Sequence, residues 1–231
     1  MIKGIVFDKD GTLFDFNATW GAWTKQMLAT EVGDDPVRFS ALADVMGYDP
    51  VAERFHPHSV VIAATVEETA EAMLQVLDDD KDALIARMNA AATGVAQISA
   101  TPLVPYFSGL RAIGLTLGIA TNDAESSARE HLQRADISDY FGFVAGYDSG
   151  HGAKPGTGQL DAFCRQTGLH PGACAMVGDS LHDLHAGRAA EMMTIGVLTG
   201  PAPSEELAPM ADIVVPSIAD IPGWLRSQSL I

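Results

Sequence analysis

A parallel α/β sheet with an inserted all-helical module is the fold class this sequence predicts, and three observations predict it. Short apolar runs rich in β-branched residues alternate with amphipathic stretches, at the start of the chain and again from about residue 97 onward. Between these parts, residues 16–96 carry helical spacing and no confident strand. Three of the apolar runs end in Asp, Thr or Asn, at the edge where open parallel sheets bind ligands.

Each element has its own reason. Ile2–Phe7, Leu115–Ala120, Ala173–Val177 and Thr194–Leu198 are compact apolar runs that read as buried strands. Ile213–Val215 is a weaker fifth and Phe141–Gly146 a candidate sixth. Among the helices, Ala124–Ala135 sets apolar Ala128, Leu132 and Ala135 against a charged face. Gly158–Thr167 carries Leu160, Phe163 and Cys164 and stops before Gly168, a good terminator. Leu181–Glu191 is a third. In the inserted region, helices are expected over Ala18–Glu31, Pro36–Met46, Thr65–Leu77 and Lys81–Ala92, with turns at Gly33–Pro36 and Gly47–Pro50. Ala96–Val104, where Ser, Thr and Pro collect, reads as the return linker. The domains predicted are therefore a core from 1–15 and 97–231 and a helical cap from 16–96.

Composition bounds the function. With 47% hydrophobic and 19% charged residues in 231, the chain can bury a sizeable core. A net charge of −16, from 30 acidic against 14 basic side chains, argues against nucleic acid or an anionic membrane as partner. It also means that any phosphate site needs local cations. Cys164 and Cys174 are too few for a disulfide framework or a thiolate metal site and read as small hydrophobes. No run has the length of a signal peptide or membrane span, so a cytoplasmic protein is expected by default.

The chemistry sits behind the strands. Ile2–Phe7 runs into Asp8-Lys9-Asp10-Gly11-Thr12-Leu13, Leu115–Ala120 into Thr121-Asn122-Asp123, and Ala173–Val177 into Gly178-Asp179-Ser180-Leu181-His182-Asp183. If the strands are parallel neighbours, Asp8, Asp10, Asp179 and Asp183 crowd four carboxylates together. Like charges that close raise their pKa values or recruit a cation. Mg2+ suits such a site, since it takes oxygen ligands from one or two carboxylates, waters and a substrate phosphate.

These residues also carry a resemblance. Asp8-Lys9-Asp10-Gly11-Thr12-Leu13 resembles the first motif of the haloacid dehalogenase-like (HAD) hydrolases. Thr121 at a strand end resembles the second, Lys154 in Ala-Lys-Pro-Gly the third, and Gly178-Asp179-Ser180-Leu181-His182-Asp183 the fourth, all in the family's order. The first and fourth together are highly specific, and the helical insertion lies where the family's cap belongs. The resemblance implies a Rossmann-like core and a phosphatase of the phosphoglycolate phosphatase-like branch, acting on a small phosphorylated metabolite. It implies that Asp8 is the nucleophile and a Mg2+ ligand. Asp10 would ligate the ion through its carbonyl and serve with its side chain as acid and then base. Thr121 and the Asn122 amide would hold a phosphate oxygen, and Lys154 would pair with Asp8 and the phosphate. Asp179 would complete the metal site, with Asp183 coordinating directly or one step out.

Simpler roles stand beside these. A Lys-Pro pair is ordinarily a solvated loop, and Asn122 or Asp183 could serve a helix terminus. His56, His58 and Ser59 are candidate substrate contacts from the cap. Trp20 and Trp23, three apart, read first as cap core and second as cleft lining. His151, His182 and His185 have no assigned role. Three rival functions share the pattern. A haloacid dehalogenase needs no acid at Asp10; a β-phosphoglucomutase-like enzyme passes the phosphate to a sugar; a regulatory module ordinarily lacks one of these groups.

Overall fold

A computed structural model describes residues 1–56, 59–62, 64–93 and 95–231. The chain opens with strand β1 (Gly4–Phe7) and continues into helices α1 (Phe16–Val32) and α2 (Pro36–Val45). A hairpin of two-residue strands, β2 (Tyr48–Asp49) and β3 (Arg54–Phe55), leads to α3 (Val66–Met73) and α4 (Lys81–Thr93). The remainder alternates: α5 (Leu103–Ala112), β4 (Thr116–Ala120), α6 (Glu125–Arg134), β5 (Phe143–Ala145), α7 (Gly158–Thr167), β6 (Cys174–Gly178), α8 (Leu181–Ala189), β7 (Met193–Val197), α9 (Ser204–Leu207), β8 (Ile213–Val215) and α10 (Ile221–Ser227).

Six strands form one parallel sheet in the order β5-β4-β1-β6-β7-β8. The central strand is buried throughout, as a parallel sheet covered by helices on both faces requires. One apolar cluster joins Ile5, Phe7, Leu117, Ile119, Val177 and Ile195 to Leu103, Phe107 and Leu110 of α5. A second joins Val6, Met176 and Phe143 to Leu160 and Phe163 of α7.

The inserted segment packs on itself. Phe16, Trp20, Leu28, Leu42, Met46, Phe55, Met73, Leu84 and Met88 share a cluster of their own. Its helices start where capping side chains dictate. Asp15 accepts from Ala18 N at 2.8 Å, Asp35 accepts from Val37 and Arg38 N, and Thr65 with Glu68 forms a capping box. The two connections to the core lie side by side, with Asp15 N donating to Ile98 O at 2.7 Å and Ala100 N to Leu13 O at 2.9 Å.

Two departures from the sequence expectation stand out. The insertion includes the β2–β3 hairpin, held by Tyr48 opposite Phe55, where only turns were expected. The end of the expected linker and the residues after it form α5, for which no helix was expected. Pro105 and Gly109 lower its intrinsic propensity, but Leu103, Phe107 and Leu110 fall on one face and bury it against the sheet. Among the described residues, no helix is long and apolar enough to cross a membrane.

Candidate active site

Register brings the strand ends together. Phe7 lies opposite Ile119 on one side and Val177 on the other, so Asp8, Thr121 and Asp179 leave the sheet within about one residue, roughly 3.3 Å, of one level. The Asp8 amide makes a last ladder bond to Val177 O at 2.8 Å. Beyond it the chain reverses through Gly11, which takes φ +80°, a conformation that favours glycine. Here a side chain would also strike Asp179, since a Cβ on Gly11 would sit 2.3 Å from Asp179 Oδ2.

Asp8, Asp179 and Asp183 each place a carboxylate oxygen within 4.8 Å of the others, all buried. The Lys154 Nζ donates to Asp8 Oδ1 and to Asp183 Oδ1, both at 2.6 Å. Asp183 Oδ2 accepts from the Ser180 amide at 3.0 Å and hydroxyl at 2.7 Å. Asp183 thus caps α8 through one oxygen while its other oxygen faces the cluster. The Thr12 hydroxyl donates to Asp179 Oδ1 at 3.3 Å.

Burial, above all, pushes the Asp8 carboxyl up to about 7; Lys154 opposes this, while Asp183 and Asp10 add to it. Asp179 is also raised well above the ordinary carboxylate value, by burial first and then by the charges of Asp8 and Asp183. Burial pulls Lys154 downward, but Asp183 and Asp8 outweigh it and hold the ammonium protonated. Three buried acids with one shared ammonium leave negative charge that a cation would relieve. The all-oxygen donor set fits a hard divalent ion such as Mg2+. Gly200 lets the Asp179 carboxylate take its place in the cluster, since a Cβ there would come within 1.7 Å of Oδ2.

Thr121 is buried; its Oγ1 accepts from the Asp123 amide at 3.1 Å, which leaves the hydroxyl proton free to donate. The start of α6 is bonded by other side chains than Asn122: the Ala124 amide donates to Asp123 Oδ1 and the Glu125 amide to Asp148 Oδ1, both at 2.8 Å. The Asn122 side-chain amide instead braces the backbone of Lys154, donating to the carbonyl at 3.0 Å and accepting from the N–H at 2.9 Å. All seven residues singled out from the sequence, Asp8, Asp10, Thr121, Asn122, Lys154, Asp179 and Asp183, line one cavity.

Sequence reasoning passed over Lys9. Its side chain is fully buried, pairs with the Asp10 carboxylate, lies 3.3 Å from Asp123 Oδ2 and 3.1 Å from His131 Nδ1. An ammonium only donates, so His131 accepts at Nδ1 and its Nε2–H points to Ala92 O at 3.2 Å. Burial and then the Lys9 charge keep His131 below its ordinary pKa, consistent with a neutral ring. The available signal was a lysine between two aspartates, two residues past a wholly apolar strand. Trp20 fulfils both expectations, packing in the cap cluster and lining the cavity, and its Nε1 donates to Asp10 Oδ1 at 2.9 Å. Ser59 is occupied structurally, donating to Met46 O and accepting from Val61 N, and His56 is exposed and does not line the cavity. His58 lies outside the described residues.

The comparisons with known proteins agree with this geometry. A family model described as haloacid dehalogenase-like hydrolase matches residues 2–191. The phosphoglycolate phosphatase of Escherichia coli (strain K12) is 28% identical over 95% of this chain and 91% of its own. That of Chromobacterium violaceum is 37% identical over 48% of this chain, a match spanning half (50%) of the relative. The crystal structure of a predicted phosphoglycolate phosphatase from Haemophilus somnus 129pt superposes with TM-score 0.76 at 19% identity, covering 96% of this chain and 97% of that one. The chain belongs to the haloacid dehalogenase-like hydrolases.

Proposed function

We propose that this protein is a Mg2+-dependent phosphatase that takes the phosphoryl group of a small organic phosphate onto Asp8 and releases it to water. The observation that carries the reading is the Lys154 ammonium bonded to both Asp8 and Asp183 at 2.6 Å, at the floor of a cavity that Asp10 and Asp179 also line. Asp8, Asp179 and Asp183 would hold the metal by carboxylate oxygens, and Asp10 by its backbone carbonyl. When bound, the ion neutralises charge on the carboxylates and the phosphate, so that one anion can approach another.

The protein groups divide the remaining work. Asp8 attacks phosphorus; the bond to the ester oxygen breaks, and that oxygen takes its proton from the Asp10 carboxyl. In the second half, Asp10 accepts a proton from water, whose oxygen attacks the aspartyl-phosphate and restores Asp8 with release of inorganic phosphate. The Thr121 hydroxyl and the Asn122 backbone N–H donate to a phosphate oxygen. Lys154 offsets the charge on the equatorial oxygens while keeping Asp8 aimed. Asn122 also fixes the backbone from which Lys154 extends.

Asp10 favours this reading over a dehalogenase, because an oriented acid at that position serves an ester leaving group. The test is hydrolysis of p-nitrophenyl phosphate with excess Mg2+, with EDTA, and by Asp8→Asn. Turnover that depends on the metal and vanishes in a folded Asp8→Asn protein is expected. Equal rates in EDTA, or an active Asp8→Asn variant, would defeat the proposal. Phosphoglycolate, in the names of the relatives above, belongs in the first substrate panel.

A further inference from the structure

The phosphate end of the cavity is built from charge, whereas the end that receives the rest of the substrate is not. Its lining from the inserted segment includes Phe16, Trp20, Trp23, Phe55, Val61 and Ile62. Phe16 and Phe55 meet edge to face at 5.3 Å, and Trp20 and Trp23 at 5.2 Å, so two aromatic pairs form a preorganised apolar wall. Among the described lining residues, Lys154 is the single lysine or arginine, and its ammonium is already shared by Asp8 and Asp183. Lys9, the other buried cation nearby, is held by Asp10 and Asp123. The remaining basic lining group, His182, belongs to α8 in the core rather than to the cap wall.

Two further observations point the same way. Asp10 and Asp123 line the cavity and would repel a second anion on the substrate, and the protein as a whole carries −16. Thr24 also lines the cavity, and its buried Oγ1 has no hydrogen-bond partner among the described residues, a neutral group for a neutral polar atom. The cavity volume, about 140 Å³, is below the roughly 300 Å³ at which drug-sized sites begin, so the body it takes is small.

We propose that the preferred substrate is the phosphate monoester of a small, uncharged and largely apolar alcohol, and that esters bearing a second anion such as a carboxylate are disfavoured. The proposal rests on the phosphatase reading above. A carboxylate entering this wall loses its water and gains no cation, whereas an aromatic or aliphatic body exchanges water for apolar contact.

The test compares kcat/KM, at saturating Mg2+, for phosphoglycolate, the neutral phosphate ester of glycolamide and benzyl phosphate. The first two match in size and connectivity. Both neutral esters should exceed phosphoglycolate by about ten-fold or more, the scale on which sites discriminate by unpaired polar groups. In parallel, Asp8→Asn should show a larger rise in Tm with benzyl phosphate than with phosphoglycolate at equal concentration. Val61→Lys, which supplies the missing cation, should raise kcat/KM for phosphoglycolate by about ten-fold. Phosphoglycolate turned over as well as or better than its neutral counterpart by the unaltered enzyme overturns the proposal and leaves the phosphatase reading standing. No turnover of any ester defeats both.

Discussion

The indole N–H of Trp20 donates to Asp10 Oδ1 at 2.9 Å, and Lys9 binds the other carboxylate oxygen. Trp20 belongs to α1 of the inserted segment and Asp10 to the loop after β1, so this bond exists only when the segment sits over the sheet edge. On the mechanism proposed above, covering the site and aiming Asp10 as its proton-transfer group would be one event, joining exclusion of water to assembly of the site.

Trp20→Phe keeps the apolar bulk and removes the donor. A hydrogen bond to a charged group is worth about 1.5–3 kcal/mol, so kcat should fall by roughly 10–100-fold while KM changes little. Steady-state kinetics on p-nitrophenyl phosphate check this. An unchanged kcat would mean that the bond does not orient Asp10.

Lys9→Met strips the ammonium from Asp10 and Asp123 together. Breaking a buried ion pair costs about 3–5 kcal/mol, and because both acids keep side-chain exposure of 16%, the lower end is expected. Urea denaturation should show a lower midpoint with an unchanged m-value. Equal stability would place Lys9 outside the network.

Without metal, stability should fall as pH rises through the site. Asp8 is raised to about 7 from an ordinary 3.8, and Asp179 is raised as well. Between the two Asp8 values the folded state binds more protons than the unfolded chain, so Asp8 removes up to roughly 1.4 kcal/mol per pH unit, and Asp179 acts in the same direction. In EDTA, Tm should drop from about pH 4.5 to about pH 7.5, and less so in Asp8→Asn; Mg2+ should restore it at the upper end, since it binds the ionised form. Calorimetry across that range decides. A Tm in EDTA that rises with pH contradicts the buried cluster.

Gly200→Ala should raise the Mg2+ concentration for half-maximal activity by about ten-fold or more, since the added methyl displaces the Asp179 carboxylate. Gly109→Ala on α5, with nothing within 4 Å of the new carbon, is the control and should stabilise by about 0.5–1 kcal/mol. A magnesium titration and a thermal melt on both variants separate the site effect from a general one.

Much of this architecture was legible as local pattern. Apolar runs located the six core strands to within a few residues, helical spacing marked α1 to α4, and Asp8, Asp10, Asp179 and Asp183 stood out as acids in the segments that follow strands. Helix α5 was not legible, because Pro105 and Gly109 speak against a helix that only burial on the sheet stabilises. Nor was the β2–β3 hairpin, whose strands of two residues are too short for any period to register.

By itself, then, the sequence determined which segments alternate, which end in acids and in what order the motifs come, since these depend on neighbours along the chain. Tertiary structure alone decided that Lys9 is buried among Asp10, Asp123 and His131, that Asn122 braces Lys154, and that aromatic side chains of the insertion line the same cavity as Asp8 and Lys154. The reason is distance along the chain. Lys154 and Asp8 meet across 146 positions, and a lysine's charge, burial and partners are set by whatever packing brings there, which no local period records.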